Sequence, residues 1–338
     1  MASGGEHGPD LGGGRMRVAV IGAGAIGGAM AAALHGAGHE VTVTARGENL
    51  AAIREHGLRL RGALGERTAR LEALEVLRER PDAAILTTKA TASAEALRAN
   101  REALGDAPVL VVQNGLGGER VAANLLGHDH VAGGLSLMAA NSLEPGVVTV
   151  TAGGVTVIGG LEAERFVALL EPALPVEATL DLEGAQWTKL LINMVNAIPA
   201  IVGHSVQDVI ADAGLRRVML ASMRETARVG LASGVRFQPL QGLTPVLVRV
   251  VAWAPRVVAQ QVPLRIRERL GTVPNLGSTQ QSIRRGQPTE VDAINGAVVE
   301  AAAAIGRDAP VNAALVELVH EVERTGRFLP ASMVRRLA

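Results

Sequence analysis

A short β-branched run, Arg17–Ile21 (RVAVI), passes straight into Gly22-Ala23-Gly24-Ala25-Ile26-Gly27. An alanine-rich stretch to Leu34 follows, and then a second strand-like run, HEVTVTAR. Strand, glycine turn, helix and strand within about thirty residues is the context that a dinucleotide fingerprint requires. Gly22 would allow the tight turn, Gly24 the close approach of a pyrophosphate, and Gly27 the packing of helix on strand. The N-terminus of the helix, at Ala25 and Ile26, supplies free N–H groups and positive dipole for the phosphates. On these residues alone a plain tight turn between strand and helix stays open. Either way, the first half of the chain is expected to be α/β with a parallel sheet.

The end of the second strand bears on which dinucleotide is bound. An acid there would meet a ribose 2′-hydroxyl, but this chain has Thr44-Ala45-Arg46-Gly47 and no acid before Glu48. A guanidinium at Arg46 suits a 2′-phosphate, so NADPH is expected rather than NADH. The plainer alternative leaves Arg46 as a solvated loop charge. Ala83–Thr88 reads as a buried strand ending at Lys89, and Val109–Val112 as another ending at Gln113-Asn114-Gly115. Ligands of open α/β sheets bind beyond the carboxyl ends of strands, which places Lys89 and Asn114 toward cofactor or substrate. Ordinary turn chemistry is the alternative for Asn114-Gly115. Residues 58–77 read as a hairpin or short strands, and Val131–Gly159 as a hairpin closing the first domain. A helix over Glu162–Leu170 and a strand over Val176–Leu180 follow.

Past the midpoint the pattern becomes helical. Gln186–Pro199 (QWTKLLINMVNAIP) reads as one apolar helix, and Lys189, Asn193 and Asn196 at i, i+4 and i+7 would share a face. A lysine on so apolar a segment either snorkels to solvent or is held at a site. Further helices are expected over Gln207–Ser233, Leu243–Leu270, Ser278–Arg285, Glu290–Ile305 and Val311–Glu323. Gly286 and Pro288 separate two of these, and Thr289 with Asp292 resembles a capping box. Glu290 would then lie in the first helical turn, where the dipole favours a carboxylate. Serving only that helix start is the alternative for Glu290 and Asp292.

Composition removes several classes of function. Lys plus Arg and Asp plus Glu are balanced at 33 each, so no global field points to nucleic acid or an anionic membrane. With no cysteine, disulfides, iron–sulfur clusters and thiolate zinc sites are excluded, which suits a reducing cytoplasm. Aromatics are 1% of the chain, too few for base-stacking platforms. No apolar run reaches the roughly 18 residues of a membrane helix. Residues 1–15 are polar and glycine-rich, and a disordered tail is expected there. His128 and His130 flank Asp129 without a third ligand at metal spacing, so no metal site is expected. Neither a nucleophile elbow nor a P-loop is present.

Four pieces fall in order: GAGAIG with Arg46, Lys89 with Gln113-Asn114-Gly115 further on, the Trp187–Asn193 helix, and Ser278 followed by Thr289–Gly296 (TEVDAING). The combination resembles the ketopantoate reductase (2-dehydropantoate 2-reductase) family, within the 6-phosphogluconate-dehydrogenase-like superfamily, from about Met16 to Glu323. The resemblance implies a Rossmann-type NADP-binding domain over residues 16–180, an all-α substrate and catalytic domain over residues 181–338, and a cleft between them. It also implies NADPH-dependent reduction of ketopantoate to pantoate in the cytoplasm, a step toward pantothenate and coenzyme A. Matched motif to motif, Lys189 takes the place of the catalytic lysine, a general acid, and Glu290 that of its partner carboxylate. Asn193, Ser278 and Asn114 match positions facing substrate. Gly22, Gly24, Ala25, Ile26, Gly27, Arg46, Lys89, Asn114 and Glu290 match the cofactor side. Many members carry a second asparagine eight residues after the lysine. Here that position is Ala197, and Asn196 is expected at the substrate in its stead. Gln281-Ser282 also departs from a common Gln-Asp. These departures touch the substrate side, so another branched 2-oxoacid is the alternative substrate. A non-catalytic NADP-binding sensor is the alternative of a different class. The expected partners are a small 2-oxoacid and, compatible with the apolar helices, a second copy of the chain.

Overall fold

The computed structural model describes residues 14–271 and 274–337. Most of the tail expected over residues 1–15 lies outside the described residues, as do Thr272, Val273 and Ala338. The chain groups into two compact units. One runs to Gln113 and includes Gly117–Leu182; the other holds Asn114–Leu116 and Glu183–Ala338.

The first unit is α/β. It opens with β1 (Arg17–Ile21), α1 (Ala25–Gly36), β2 (Glu40–Thr44) and α2 (Gly47–His56). Three short strands follow: β3 (Leu58–Gly62), β4 (Arg67–Ala69) and β5 (Glu72–Leu74). Next come β6 (Ala83–Leu86), α3 (Ala90–Leu104), β7 (Val109–Val112) and α4 (Gly118–Leu126). The unit ends with β8 (Val131–Ser136), β9 (Ala139–Asn141), β10 (Val147–Ala152), β11 (Thr156–Gly159), α5 (Ala163–Leu170) and β12 (Val176–Thr179). Eight strands form the main sheet in the order β12-β11-β8-β7-β6-β1-β2-β5. Every adjacent pair is parallel except β8 with β11. The central strands are buried along their length, as a parallel sheet covered on both faces demands. The expected α/β fold with a Rossmann-type order is present.

The hairpin expected over Val131–Gly159 needs correction. β8 and β11 stay in the main sheet, while β9 and β10 leave it for a second sheet ordered β4-β3-β10-β9. The cause lies in α1, whose residues Gly27 to Leu34 are buried without a break. A helix that is apolar on all sides must be covered on all sides. The second sheet supplies the additional cover, and at Gly28 the fit is so close that a Cβ would stand 2.7 Å from Val148 Cγ2. Within residues 58–77, β3 and β4 pair antiparallel in this sheet, whereas β5 joins the edge of the main one.

The second unit is helical: α6 (Leu182–Asn193), α7 (Ala197–Val202), α8 (Val206–Ala211), α9 (Ala213–Ala232), α10 (Pro245–Trp253), α11 (Arg256–Ala259) and α12 (Gln261–Leu270) come first. They are followed by α13 (Gly277–Arg284), a π-helical turn at Asp292–Gly296, α14 (Ala297–Ala304), α15 (Pro310–Thr325) and α16 (Ala331–Arg335). The helices expected over Gln207–Ser233 and Leu243–Leu270 are both divided. Asp212 turns extended and caps α9 by accepting the N–H groups of Gly214 and Leu215, which separates α8 from α9. Pro255 forces Ala254 out of the helical region, as a residue before proline usually is. Among the described residues no helix is long and apolar enough to cross a membrane. α6 is pinned by Trp187, whose ring meets Phe237 edge-on at 6.2 Å. Beneath both rings lies Gly230 of α9, where a Cβ would come within 2.6 Å of Phe237.

The glycine loop separates two kinds of glycine by what surrounds them. A Cβ on Gly27 would stand 2.2 Å from both Gly22 O and Thr87 Oγ1, whereas one on Gly24 would meet no atom within 4 Å. Gly27→Ala is expected to cost about 1–3 kcal/mol of stability through overpacking. Gly24→Ala should cost less, about 1 kcal/mol at most, because alanine caps a helix less well than glycine. Denaturant unfolding of the two variants measures this, and equal losses would contradict the packing described.

Candidate active site

Beyond the carboxyl end of β1 the backbone turns at Gly22, whose φ of +103° only glycine adopts without strain. Gly22 N donates to Thr44 Oγ1 at 3.1 Å, and Gly22 O accepts from Thr87 Oγ1 at 2.7 Å. The loop is thus tied to the strands on either side. Gly24 is the N-cap of α1 and offers no side chain to bond the first turn, so the N–H groups of Ala25, Ile26 and Gly27 lack helical acceptors. Open space at Gly24 above those donors fits a pyrophosphate, the anion a helix N-terminus receives best. Asn49 was not among the expected residues, yet it braces the loop. Its Nδ2 donates to Ala23 O at 2.8 Å and its Oδ1 accepts from Gly146 N at 2.8 Å. An asparagine inside the first turn of a helix after Arg46-Gly47 is the only trace of that role in the sequence.

Arg46 is the N-cap residue of α2, and Lys89 holds the same position on α3. A cation at a helix N-terminus opposes the dipole, so both sites favour an anion close by. Arg46 Nη2 bonds Glu95 Oε1 at 2.8 Å, both side chains about two-thirds exposed (65% and 69%). The strand before Lys89 is shorter than expected. It ends at Leu86 because the Thr87 N–H and hydroxyl turn toward Ile21 O and Gly22 O. Gln113 closes this corner by donating to Thr88 O at 2.7 Å and bonding Ser93 Oγ.

In the helical unit the single helix expected over Gln186–Pro199 does not form. α6 ends at Asn193, and Met194, Val195 and Asn196 donate to Leu191 O, Ile192 O and Asn193 O, a tightened 3₁₀-like turn. Pro199 explains the break: it has no N–H for Val195 O, and its ring crowds that carbonyl. Lys189 and Asn193 keep their i, i+4 relation on α6, whereas Asn196 lies beyond its end as the N-cap residue of α7. There it packs on the residue before Ser278: a Cβ on Gly277 would stand 2.7 Å from Asn196 Oδ1. Asn196 and the start of α13 are therefore brought together, with Ser278 exposed. Ala197 is buried at 1% exposure.

Lys189 is part-buried. Burial pushes its ammonium down to about 8, and the charge of Glu290 pulls it back up. Glu290 Oε2 accepts from Asn114 Nδ2 at 3.0 Å. Asn114 and Gly115 belong to this unit by contact, and the φ of +94° at Gly115 lets the backbone pass so near that a Cβ would stand 2.5 Å from Ala293 O. Glycine makes the turn, as ordinary turn chemistry expects, and the asparagine side chain carries a bond to Glu290.

The capping box expected of Thr289 and Asp292 is also corrected. Thr289 Oγ1 accepts from Val291 N at 3.3 Å, but the reciprocal arm is missing. Thr289 N instead donates to Glu323 Oε1 at 2.6 Å, and Asp292 Oδ1 bonds His320 Nε2 at 2.9 Å. His320 Nδ1 meets Glu323 Oε2 at 2.7 Å. Helix α15 thus clasps the turn that carries Glu290. Bonds to Asp292 and then Glu323 raise the His320 pKa, against desolvation. Burial works against the charge on Glu323, but bonds from Thr289 and His320 outweigh it and hold that carboxyl low.

Known proteins match nearly the whole of this chain. The family model described as Ketopantoate reductase PanE/ApbA matches residues 18–163. Its companion, Ketopantoate reductase PanE/ApbA C terminal, matches residues 181–323. A 2-dehydropantoate 2-reductase of Pyrococcus horikoshii is 30% identical over 321 residues, 92% of this chain and 99% of that protein. One of Halobacterium salinarum is 31% identical over 327 residues, 92% of this chain and 100% of that protein. Among solved structures, a PanE/ApbA family ketopantoate reductase of Ralstonia eutropha is 30% identical with a TM-score of 0.78. That match covers 91% of this chain and 99% of the other.

The clasp makes stability depend on pH with a definite sign. A histidine whose pKa is raised by folding adds stability that is fully present below its unfolded pKa of about 6.5 and fades as pH rises through the folded value. Thermal melts of the wild type and His320→Gln across pH 5.5 to 8.5, about three units spanning that pKa, are expected to differ most at the acid end and converge toward the alkaline end. A gap that widens with pH would contradict the clasp.

Proposed function

This chain belongs to the ketopantoate reductase family, and from that membership we propose that it reduces ketopantoate to pantoate with NADPH, Lys189 serving as general acid. The observation that carries the proposal is the lysine whose ammonium burial lowers to about 8 while Glu290 holds it up. At pH 7 such a group is still about tenfold more often charged than neutral, yet it gives up its proton far more readily than an ordinary lysine. NADPH, when bound, supplies the hydride that a 2-oxo carbon accepts. The oxygen of that carbonyl then gathers negative charge, and Lys189 stabilises it and donates the proton. Glu290 keeps the lysine protonated between turnovers, and Asn114 orients Glu290. Asn193, one turn along from Lys189, with Asn196 and Ser278, would hold the polar groups of the substrate. Gly22, Gly24, Ala25, Ile26 and Gly27 would receive the pyrophosphate. Arg46 would take the 2′-phosphate, which replaces Glu95 as the partner of the guanidinium, and Lys89 would face the cofactor from the start of α3.

NADPH oxidation with ketopantoate beside a panel of 2-oxoacids tests the substrate. Ketopantoate is expected to give the highest kcat/KM, and Lys189→Ala to lower kcat by about 10²- to 10⁴-fold with NADPH affinity nearly unchanged. Turnover of another branched 2-oxoacid but not ketopantoate would move the assignment to that substrate. NADPH binding without turnover of any would favour a binding protein. Arg46→Ala is expected to weaken NADPH much more than NADH, and equal weakening would remove the 2′-phosphate role.

A further inference from the structure

Behind the lysine and its carboxylate lies a buried polar cluster that the chemistry above does not use. Asn295 of the π-turn is 2% exposed, and Asn312 of α15 and Ser222 of α9 are fully buried. Asn312 Oδ1 accepts from Asn295 Nδ2 at 2.9 Å and from Ser222 Oγ at 2.8 Å. Its Nδ2 donates to Glu225 Oε2 at 2.7 Å and Ser222 O at 3.2 Å. Glu225 also accepts the N–H groups of Val311 and Asn312, each at 2.9 Å. A carboxylate from α9 thereby caps α15, whose own N-cap residue, Ala309, has no group to do so. The fourth corner is Met194, whose sulfur accepts from Ser222 Oγ at 3.3 Å and Asn295 Nδ2 at 3.5 Å.

The position of these residues in the chain gives the cluster its meaning. Met194 is the residue after Asn193, where the lysine helix ends. Asn295 sits in the π-turn whose approach carries Glu290, and Ile294 N donates back to Glu290 O at 3.0 Å. Aliphatic neighbours such as Ile198, Val291, Ile294 and Leu315 fill the rest of this core. Apolar side chains would serve packing there as well as amides do, but they slide, whereas hydrogen bonds fix one register. A π-turn is an uncommon widening of the helix that is frequent at functional sites.

We propose that Asn295 is a positioning residue for the reaction: its amide bonds to Asn312 and Met194 hold the π-turn, and with it Glu290, in register with the end of the helix that carries Lys189. The inference rests on the reading of Lys189 and Glu290 as acid and partner. Loss of the amide lets Glu290 drift from the lysine, so the ammonium loses support while its burial stays.

Lys89 and Lys189 are the only lysines in the chain, so side-chain NMR of the ¹³C-lysine-labelled protein gives two titrations, and Lys89→Arg assigns them. In Asn295→Ala the Asn312 oxygen keeps the Ser222 hydroxyl, so no buried acceptor is orphaned. Lys189 in that variant is expected to titrate at a pH at least about 0.5 lower than in the wild type. Under the proposed activity, kcat for ketopantoate falls roughly tenfold with KM for NADPH unchanged. An unchanged Lys189 titration in a cooperatively folded variant would overturn the proposal and leave Asn295 a stability residue. Should Asn295→Ala fail to fold, Met194→Leu, which keeps the volume but removes the sulfur acceptor, must move the titration the same way or the proposal falls. Should the wild type not reduce ketopantoate, the substrate reading fails, and the lysine titration still decides this inference.

Discussion

A part-buried ammonium opposed by one carboxylate is the interaction on which the reading of the site depends. Burial lowers the Lys189 ammonium to about 8, and the charge of Glu290 works against that fall. Neither residue can hold that balance by itself, because a carboxylate that moves away leaves a desolvated amine without support. The helical unit is accordingly built to keep both still. Thr188 anchors α6 through bonds to Gly184 O and Gln238 O, and Trp187 is wedged against Phe237 over Gly230. On the other side Asn114 holds the Glu290 carboxylate, and the His320 clasp holds the backbone around it.

The choice of cation fits the same constraint. Of the 33 basic Lys and Arg residues only Lys89 and Lys189 are lysine. Arginine cannot release its proton in a protein, and this chain uses it where charge is merely paired or solvated, as in Arg17 with Asp82 and Arg335 with Asp212. Against that background each lysine stands out. Lys189 is the one proposed to transfer a proton, and Lys89 is the N-cap residue of α3. That scarcity is a signal in the sequence which needs no motif to be noticed.

How far the sequence carried depended on whether a feature was local. The glycine fingerprint was legible because each glycine answers a short-range need: Gly22 the turn, Gly24 the open approach, Gly27 the contact with Thr87. The helical second half was legible from periodicity. What escaped was set by distant partners. Nothing near Thr289 announces that Glu323, some thirty residues on, takes the N–H that Asp292 was expected to bond, while His320 takes Asp292 instead. The departure of β9 and β10 into a second sheet follows from α1 being apolar on every side, a demand that only tertiary packing reveals. The unbroken helix expected over Gln186–Pro199 was the avoidable error. Pro199 stands three residues beyond Asn196, and a proline forbids the continuous helix that the i, i+7 spacing assumed.

The central claim is that Glu290 sustains a buried, protonated Lys189, and it is tested most directly by the pH dependence of kcat in the wild type and Glu290→Gln. The account predicts that wild-type activity falls as pH rises through about 8 and that the glutamine variant loses activity at distinctly lower pH. An alkaline limb that stays in place, or moves upward, when Glu290 loses its charge would contradict it.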